Sequence, residues 1–185
     1  MKSLVFPGAI SGVGGSAFID CSELTAVSFP DGVASIGEFA FYGLNKLTNV
    51  TIKKGTTVIE NTAFSCCSNL PTIDSAEGVA PIGKSAFFRT GIKSIKISDK
   101  TESIGESAFY FCDKLENITI PSSVKTISSE AFAECTVLKK VSIEEGVTEI
   151  GSRVFEWNLG MIDIKCIRPL SAASRAAFPG QSGPY

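Results

Sequence analysis

Histidine is absent from all 185 residues. That removes the commonest general base near neutral pH and the commonest metal ligand. A Ser-His-Asp or Cys-His device within this chain is therefore excluded, and so is a His-containing zinc site. Neither sign of charge dominates: 17 Lys+Arg face 19 Asp+Glu, a formal charge of −2. Such a balance does not neutralise a run of phosphates, so nucleic acid is not the expected partner. No apolar run reaches the ~18 residues of a membrane-spanning helix. The start, Met1-Lys2-Ser3-Leu4-Val5-Phe6-Pro7-Gly8, breaks after three apolar residues, short of the ~7–15 of an export signal. A cytoplasmic protein, or a piece of a longer chain with its signal upstream, is the expectation. Tryptophan occurs once and tyrosine three times, yet phenylalanine occurs 13 times.

Those phenylalanines are periodic. Phe18, Phe41, Phe64, Phe87, Phe109, Phe132, Phe155 and Phe178 follow one another at intervals of 23, 23, 23, 22, 23, 23 and 23 residues. Five residues before each stand Val13, Ile36, Ile59, Ile82, Ile104, Ile127, Ile150 and Ala173. Six residues after come Leu24, Leu47, Leu70, Leu115, Leu138 and Met161, with Ile92 in the short repeat. An alternating pair completes the unit, as in Val27/Phe29, Val50/Ile52, Ile118/Ile120 and Val141/Ile143. Fixed periods of this length mark stacked repeats.

Each unit reads Leu-x-x-Ile-x-Ile-Pro-x-x-Val-x-x-Ile-Gly-x-x-Ala-Phe-x-x-Cys-x-x. Ile-x-Ile has period two and puts both branched side chains on one face of a short strand. Proline at Pro7, Pro30 or Pro121 ends that strand. Val-x-x-Ile returns along a second side, and the glycine permits a turn that a Cβ would obstruct. Ala-Phe-x-x-Cys-x-x-Leu spaces apolar groups by three, which predicts a helical turn with one buried stripe. One unit buries too little to fold alone, so units stack into a solenoid with a continuous core. Eight parallel units at roughly 4.8 Å make a rod on the order of 40 Å long.

These columns, over nearly the whole chain, resemble the BspA-type leucine-rich repeat. The resemblance implies an α/β, strand-rich, right-handed solenoid of about eight 22–23-residue units, with short parallel strands and short helical turns. It places the array at residues 1–168 and a degenerate last repeat, cap or linker at 169–185. It also implies a cell-surface or secreted protein without catalytic activity or cofactor, adhesive and binding a protein partner such as a host matrix or surface protein. A structural spacer that displays other domains is the alternative.

Cys21, Cys67, Cys112 and Cys135 share one column, three residues after the repeat Phe, and read as a ladder of small buried thiols. Leu44, Thr90 and Asn158 fill that column elsewhere, so sulfur chemistry is not required there. Cys112 and Cys135 occupy adjacent units, but parallel side chains rarely meet a disulfide's dihedral. Cys166 takes an inward strand position, and Cys66 alone falls off the ladder, without a histidine to activate it. Glu144-Glu145 and Glu102/Glu106 fall at turns, where nothing pairs them across a cleft. No catalytic residue and no metal ligand set is expected.

Binding candidates lie on two surfaces. The outward strand positions carry Lys93, Lys96, Thr119, Lys139, Lys140, Ser142 and Lys165, a polar sheet face with lysines toward its carboxyl half. Such a face keeps a sheet soluble and is also what solenoids present to ligands. Tyr42, Phe88, Tyr110, Phe111 and Trp157 follow the repeat Phe by one or two residues; they pack under the turn or form an aromatic edge that anchors a protein or, less favourably, a sugar. Asn49-Val50-Thr51 and Asn117-Ile118-Thr119 are formal glycosylation sequons, read as polar strand residues. The unit starting at Leu70 breaks the pattern. Ser75 replaces a core Ile, and a residue is missing near Arg89-Thr90-Gly91, so a local distortion is expected there. Met1 stands at a unit boundary with no capping segment, so a fragment of a longer domain is expected.

Overall fold

The computed structural model describes residues 2–6, 8, 10–53, 57–75, 79–160 and 163–166. Its strands, in chain order, are β1 (Ser3–Val5), β2 (Gly12–Val13), β3 (Ala26–Phe29), β4 (Ser35–Ile36), β5 (Asn49–Ile52), β6 (Thr57–Ile59) and β7 (Ile73–Ser75). They continue with β8 (Val79–Ile82), β9 (Ser103–Ile104), β10 (Asn117–Ile120), β11 (Thr126–Ile127), β12 (Lys140–Ile143), β13 (Glu149–Ile150) and β14 (Asp163–Cys166). Each strand pairs in parallel with its counterpart one unit away, as in Val27↔Val50 and Ile118↔Val141. The first strand of each unit builds one side, split into β1-β3-β5-β7 and β10-β12-β14. The second strand builds another side, the continuous sheet β13-β11-β9-β8-β6-β4-β2. Alternation sends Val27, Phe29, Val50, Ile52, Ile118, Ile120, Val141 and Ile143 inward, where all are buried. The parallel-strand solenoid is thus the architecture that the repeat columns dictate.

The core is a stack of rings. Phe41, Phe64, Phe87, Phe109 and Phe132 are wholly buried and Phe155 nearly so. From Phe18 to Phe155, successive centroids lie 5.1–5.8 Å apart with ring planes within 13° of parallel. Rung spacing alone sets this offset-stacked geometry, which aromatic pairs favour. Phe18 is only half-buried, and Phe178 lies outside the described residues, as does the segment 169–185 read as a cap or linker. Among the described residues the chain makes about six complete turns, marked by the buried rings Phe41 to Phe155, where about eight units were expected.

The third side corrects the expectation of helical turns: no helix occurs among the described residues. Two residues before the repeat Phe, the backbone is left-handed at Ser16, Phe39, Thr62, Ser85, Ser107, Glu130 and Arg153, with φ of 51–59°. Two residues after it, Cys66, Arg89, Phe111, Glu134 and Trp157 are left-handed as well, with φ of 53–62°. A left-handed residue every four positions forbids a helix. The cost, about 1–2 kcal/mol for each non-glycine residue, is offset by hydrogen bonds between rungs. Ala40 and Tyr42 donate their N–H within the turn, to Gly37 and Phe39. Phe39, Phe41 and Gly43 donate instead to the carbonyls of Asn61, Ala63 and Ser65 in the next rung. A third ladder thus joins the turns, whereas a helix would keep its hydrogen bonds to itself.

Irregularity concentrates where the repeat defect lies. The β6–β8 pairing shifts register between Thr57 and Ile59. The first-strand sheet is interrupted after β7, and the strand-like stretch around Ile95 and Ile97 carries only a bridge from Ile97 to Val79. Ile95 and Ile97 nevertheless remain buried, so the core passes through a broken sheet.

Candidate functional site

The sheet side places the predicted polar residues in rows. Register puts Lys140 between Asn117 and Asp163, and Ser142 between Thr119 and Lys165. Lys93, Lys96, Thr119, Lys139, Lys140 and Lys165 are exposed, while Ser142 is half-buried. Lys139 lies 3.7 Å from Glu116 one rung away, an exposed pair that contributes little to stability. Asn49 and Asn117 of the two sequons are exposed on this same face, and Thr51 Oγ1 donates to Asn49 Oδ1 at 3.2 Å.

The aromatic residues do not form one edge. Phe88 stacks on Tyr110, with centroids 5.6 Å apart, and the Arg89 guanidinium lies 5.0 Å over Phe111. Phe39 meets Tyr42 edge-on at 5.8 Å, two rungs from Phe88. Trp157, 62% exposed, stands two rungs beyond Phe111. Among the described residues no ring contact joins these three groups. Tyr110 titrates above the usual phenol range, first through desolvation and then through the carboxylates of Glu134, Glu130 and Glu156.

The thiol ladder is structural. Cys67, Cys112 and Cys135 are buried, and Cys21 and Cys66 half-buried; all five are free. The side chain of Cys166 lies outside the described residues. Each buried thiol donates to the carbonyl of the Phe one rung before it. Cys67 Sγ reaches Phe41 O at 3.0 Å, Cys112 reaches Phe87 O at 3.1 Å and Cys135 reaches Phe109 O at 3.2 Å. Asn158 Nδ2 does the same to Phe132 O at 3.0 Å, whereas Thr90 Oγ1 donates to Phe87 O within its own unit and Leu44 fills the column without a donor. Burial pushes the Cys67 and Cys112 thiols up to about 12 and Cys135 well above its ordinary value.

The sign of the linkage follows. Unfolded thiols ionise near ~8.5, while the folded ones hold their protons until about 12. Between those values the unfolded chain binds fewer protons, so stability falls as pH rises through the window and is unaffected below it. The urea midpoint is expected to drop between pH 8 and pH 11 more steeply in this chain than in a Cys67→Ala, Cys112→Ala, Cys135→Ala variant. Parallel pH profiles would contradict the assignment.

Two of the acidic candidates have structural partners. Glu106 accepts from Lys84 at 2.9 Å, and Glu144 Oε2 accepts the Ser122 backbone N–H at 3.1 Å. Among the described residues no three His, Cys, Asp or Glu side chains converge to hold a metal ion. Sequence reasoning missed a shallow groove of about 850 Å³ beside the sheet, bordered by Lys93, Asp113, Lys114, Glu116, Val137 and Lys139. A solvent-facing Val137 among charged neighbours was its only signal.

A family model described as the BspA type leucine-rich repeat region, in six copies, matches residues 1–115 and 80–182. Among solved structures, a leucine-rich repeat protein of T. pallidum is 26% identical with a TM-score of 0.71, over 82% of this chain and 74% of that one. A leucine-rich repeat protein from Bacteroides ovatus is 21% identical with a TM-score of 0.58, over 90% of this chain and 64% of that one, a likeness of fold. No curated protein matches the chain with significance.

Proposed function

Because the chain belongs to the BspA-type leucine-rich repeat family, whose members are generally non-enzymatic interaction or scaffold repeats, we propose that it is a protein-binding module of a cell-surface or secreted, adhesin-like protein. The partner is a protein, such as a host matrix or surface protein, and it docks on the sheet side of the carboxyl half. One observation carries this reading. Lys140 stands exposed in the row Asn117–Lys140–Asp163, Thr119 and Lys165 stand exposed in the neighbouring row on either side of Ser142, and Lys96 is exposed in the preceding unit, a surface that the core does not need. Stacked rungs hold such a row rigid before any partner arrives, so little ordering entropy opposes docking.

A Lys96→Glu, Lys140→Glu variant is expected to lose at least about tenfold in affinity for a partner found by screening extracellular matrix and surface proteins, since reversing a contacting charge changes attraction into repulsion. Biolayer interferometry measures it, with a thermal melt showing that both exposed substitutions leave the fold intact. Unchanged affinity would remove this face as the docking surface. A spacer function is the second reading, favoured by the near-parallel ring stack that makes the array a stiff rod. Absence of saturable binding across a broad panel supports it.

A further inference from the structure

The groove beside the sheet has a chemistry of its own. Its border carries three ammonium groups, from Lys93, Lys114 and Lys139, against the two carboxylates of Asp113 and Glu116. Lys139 already lies 3.7 Å from Glu116. Lys114 Nζ is 3.3 Å from the Ser68 carbonyl oxygen, a neutral acceptor. Lys140 and Lys165 stand exposed on the adjoining strands, with Asp163 in register beside Lys140, so five lysines against three carboxylates leave positive charge in excess here although the whole chain carries −2. Within the same groove Val137 is 38% exposed, and Gly160 at its far end contributes no side chain.

We infer that this groove takes an extended acidic peptide segment of a partner protein, its carboxylates toward Lys93, Lys114 and Lys139 and an aliphatic side chain over Val137. The inference rests on the reading of the chain as a protein-binding module and names the partner's chemistry. Three features select this occupant. The groove runs from the rung of Lys93 to that of Gly160, three rung spacings or roughly 14 Å, the reach of about four residues of extended chain. Its charges are mixed, so Asp113 and Glu116 would oppose a uniformly anionic polymer while leaving room for spaced carboxylates. Val137 offers apolar surface that a sulfated sugar or a phosphate chain would leave unused.

The test is fluorescence anisotropy of the intact chain with a short labelled peptide alternating Glu and Leu. A peptide alternating Lys and Leu and a heparin fragment are the comparison ligands. The acidic peptide is expected to bind saturably and more weakly as salt rises, because its attraction is screened. A Lys93→Glu, Lys139→Glu variant should lose at least about tenfold in affinity. A Val137→Asp variant should lose a comparable factor, and both variants should melt like the parent. No saturable binding of the acidic peptide overturns the inference, as does an unchanged affinity in both variants. Equal binding of the Lys–Leu peptide, or tighter binding of heparin, overturns it too. A screened partner that depends on Lys96 and Lys140 while the acidic peptide fails to bind would leave the binding module standing and remove only the groove.

Discussion

Phe109→Ala is expected to destabilise the chain by about 3–5 kcal/mol, the cost of emptying a buried phenylalanine site. Phe109 is wholly buried and lies 5.1 Å from both Phe87 and Phe132. Its removal therefore opens a cavity and ends two ring contacts at once. The rungs on either side are held apart by their own strands and by the turn ladder, so they cannot collapse onto the void. In a stacked array each rung contacts only its neighbours, and losing a central one uncouples the two halves. Urea unfolding followed by far-ultraviolet circular dichroism should show the lower midpoint and a broader transition than the parent. A loss under about 1 kcal/mol would mean that the stack is not the main source of cohesion. Phe18→Ala, at the half-buried end of the same column, should cost less than half as much, which separates stacking from composition.

Gly91→Ala should be nearly as damaging, by about 3 kcal/mol, because overpacking a close-packed site forces neighbours to move. The glycine sits where the unit is one residue short, and the chain compensates by running hard against the previous rung. A Cβ at Gly91 would fall inside contact distance of the Ser68 carbonyl oxygen and 2.9 Å from its carbon. Backbone atoms cannot swing aside as a flexible side chain would. The Gly91 N–H also donates to Cys67 O at 3.2 Å, so relief of the clash lengthens that hydrogen bond. A thermal melt measures the effect, and a wild-type midpoint would refute the close approach. Gly43→Ala makes the contrast: its φ of 73° strains an alanine, but its Cβ would meet no atom within 4 Å. It should cost only about 1 kcal/mol.

Much of the fold was legible because the repeat columns are local. The Ile-x-Ile pairs, the Phe at intervals of 22–23 residues and the Cys column mark buried positions whatever the exact path between them, and the structure buries the described ones from the second rung onward, leaving Phe18 and Cys21 of the first half-buried. The helical turn was misread because Ala-Phe-x-x-Cys-x-x-Leu has the same spacing in a helix as in two successive left-handed turns. Glu134 or Arg89 gives no sign of positive φ, being neither glycine nor asparagine. The repeat glycines were also misread. Gly105 is needed because its Cβ would lie 2.6 Å from the Gly83 backbone carbon, an approach between rungs and not a turn within one.

By itself, then, the chain's order of residues determined the period, the inward columns and the place of the defect, since each follows from side-chain size and spacing along one unit. Only the tertiary structure decided the backbone of the turns, because a left-handed residue is held by an N–H that bonds to a carbonyl 21 or 22 residues away. It also decided which lysines, spread from Lys93 to Lys139, border a groove with Val137. Neighbours across rungs are absent from any single unit, and the binding surface is made of them.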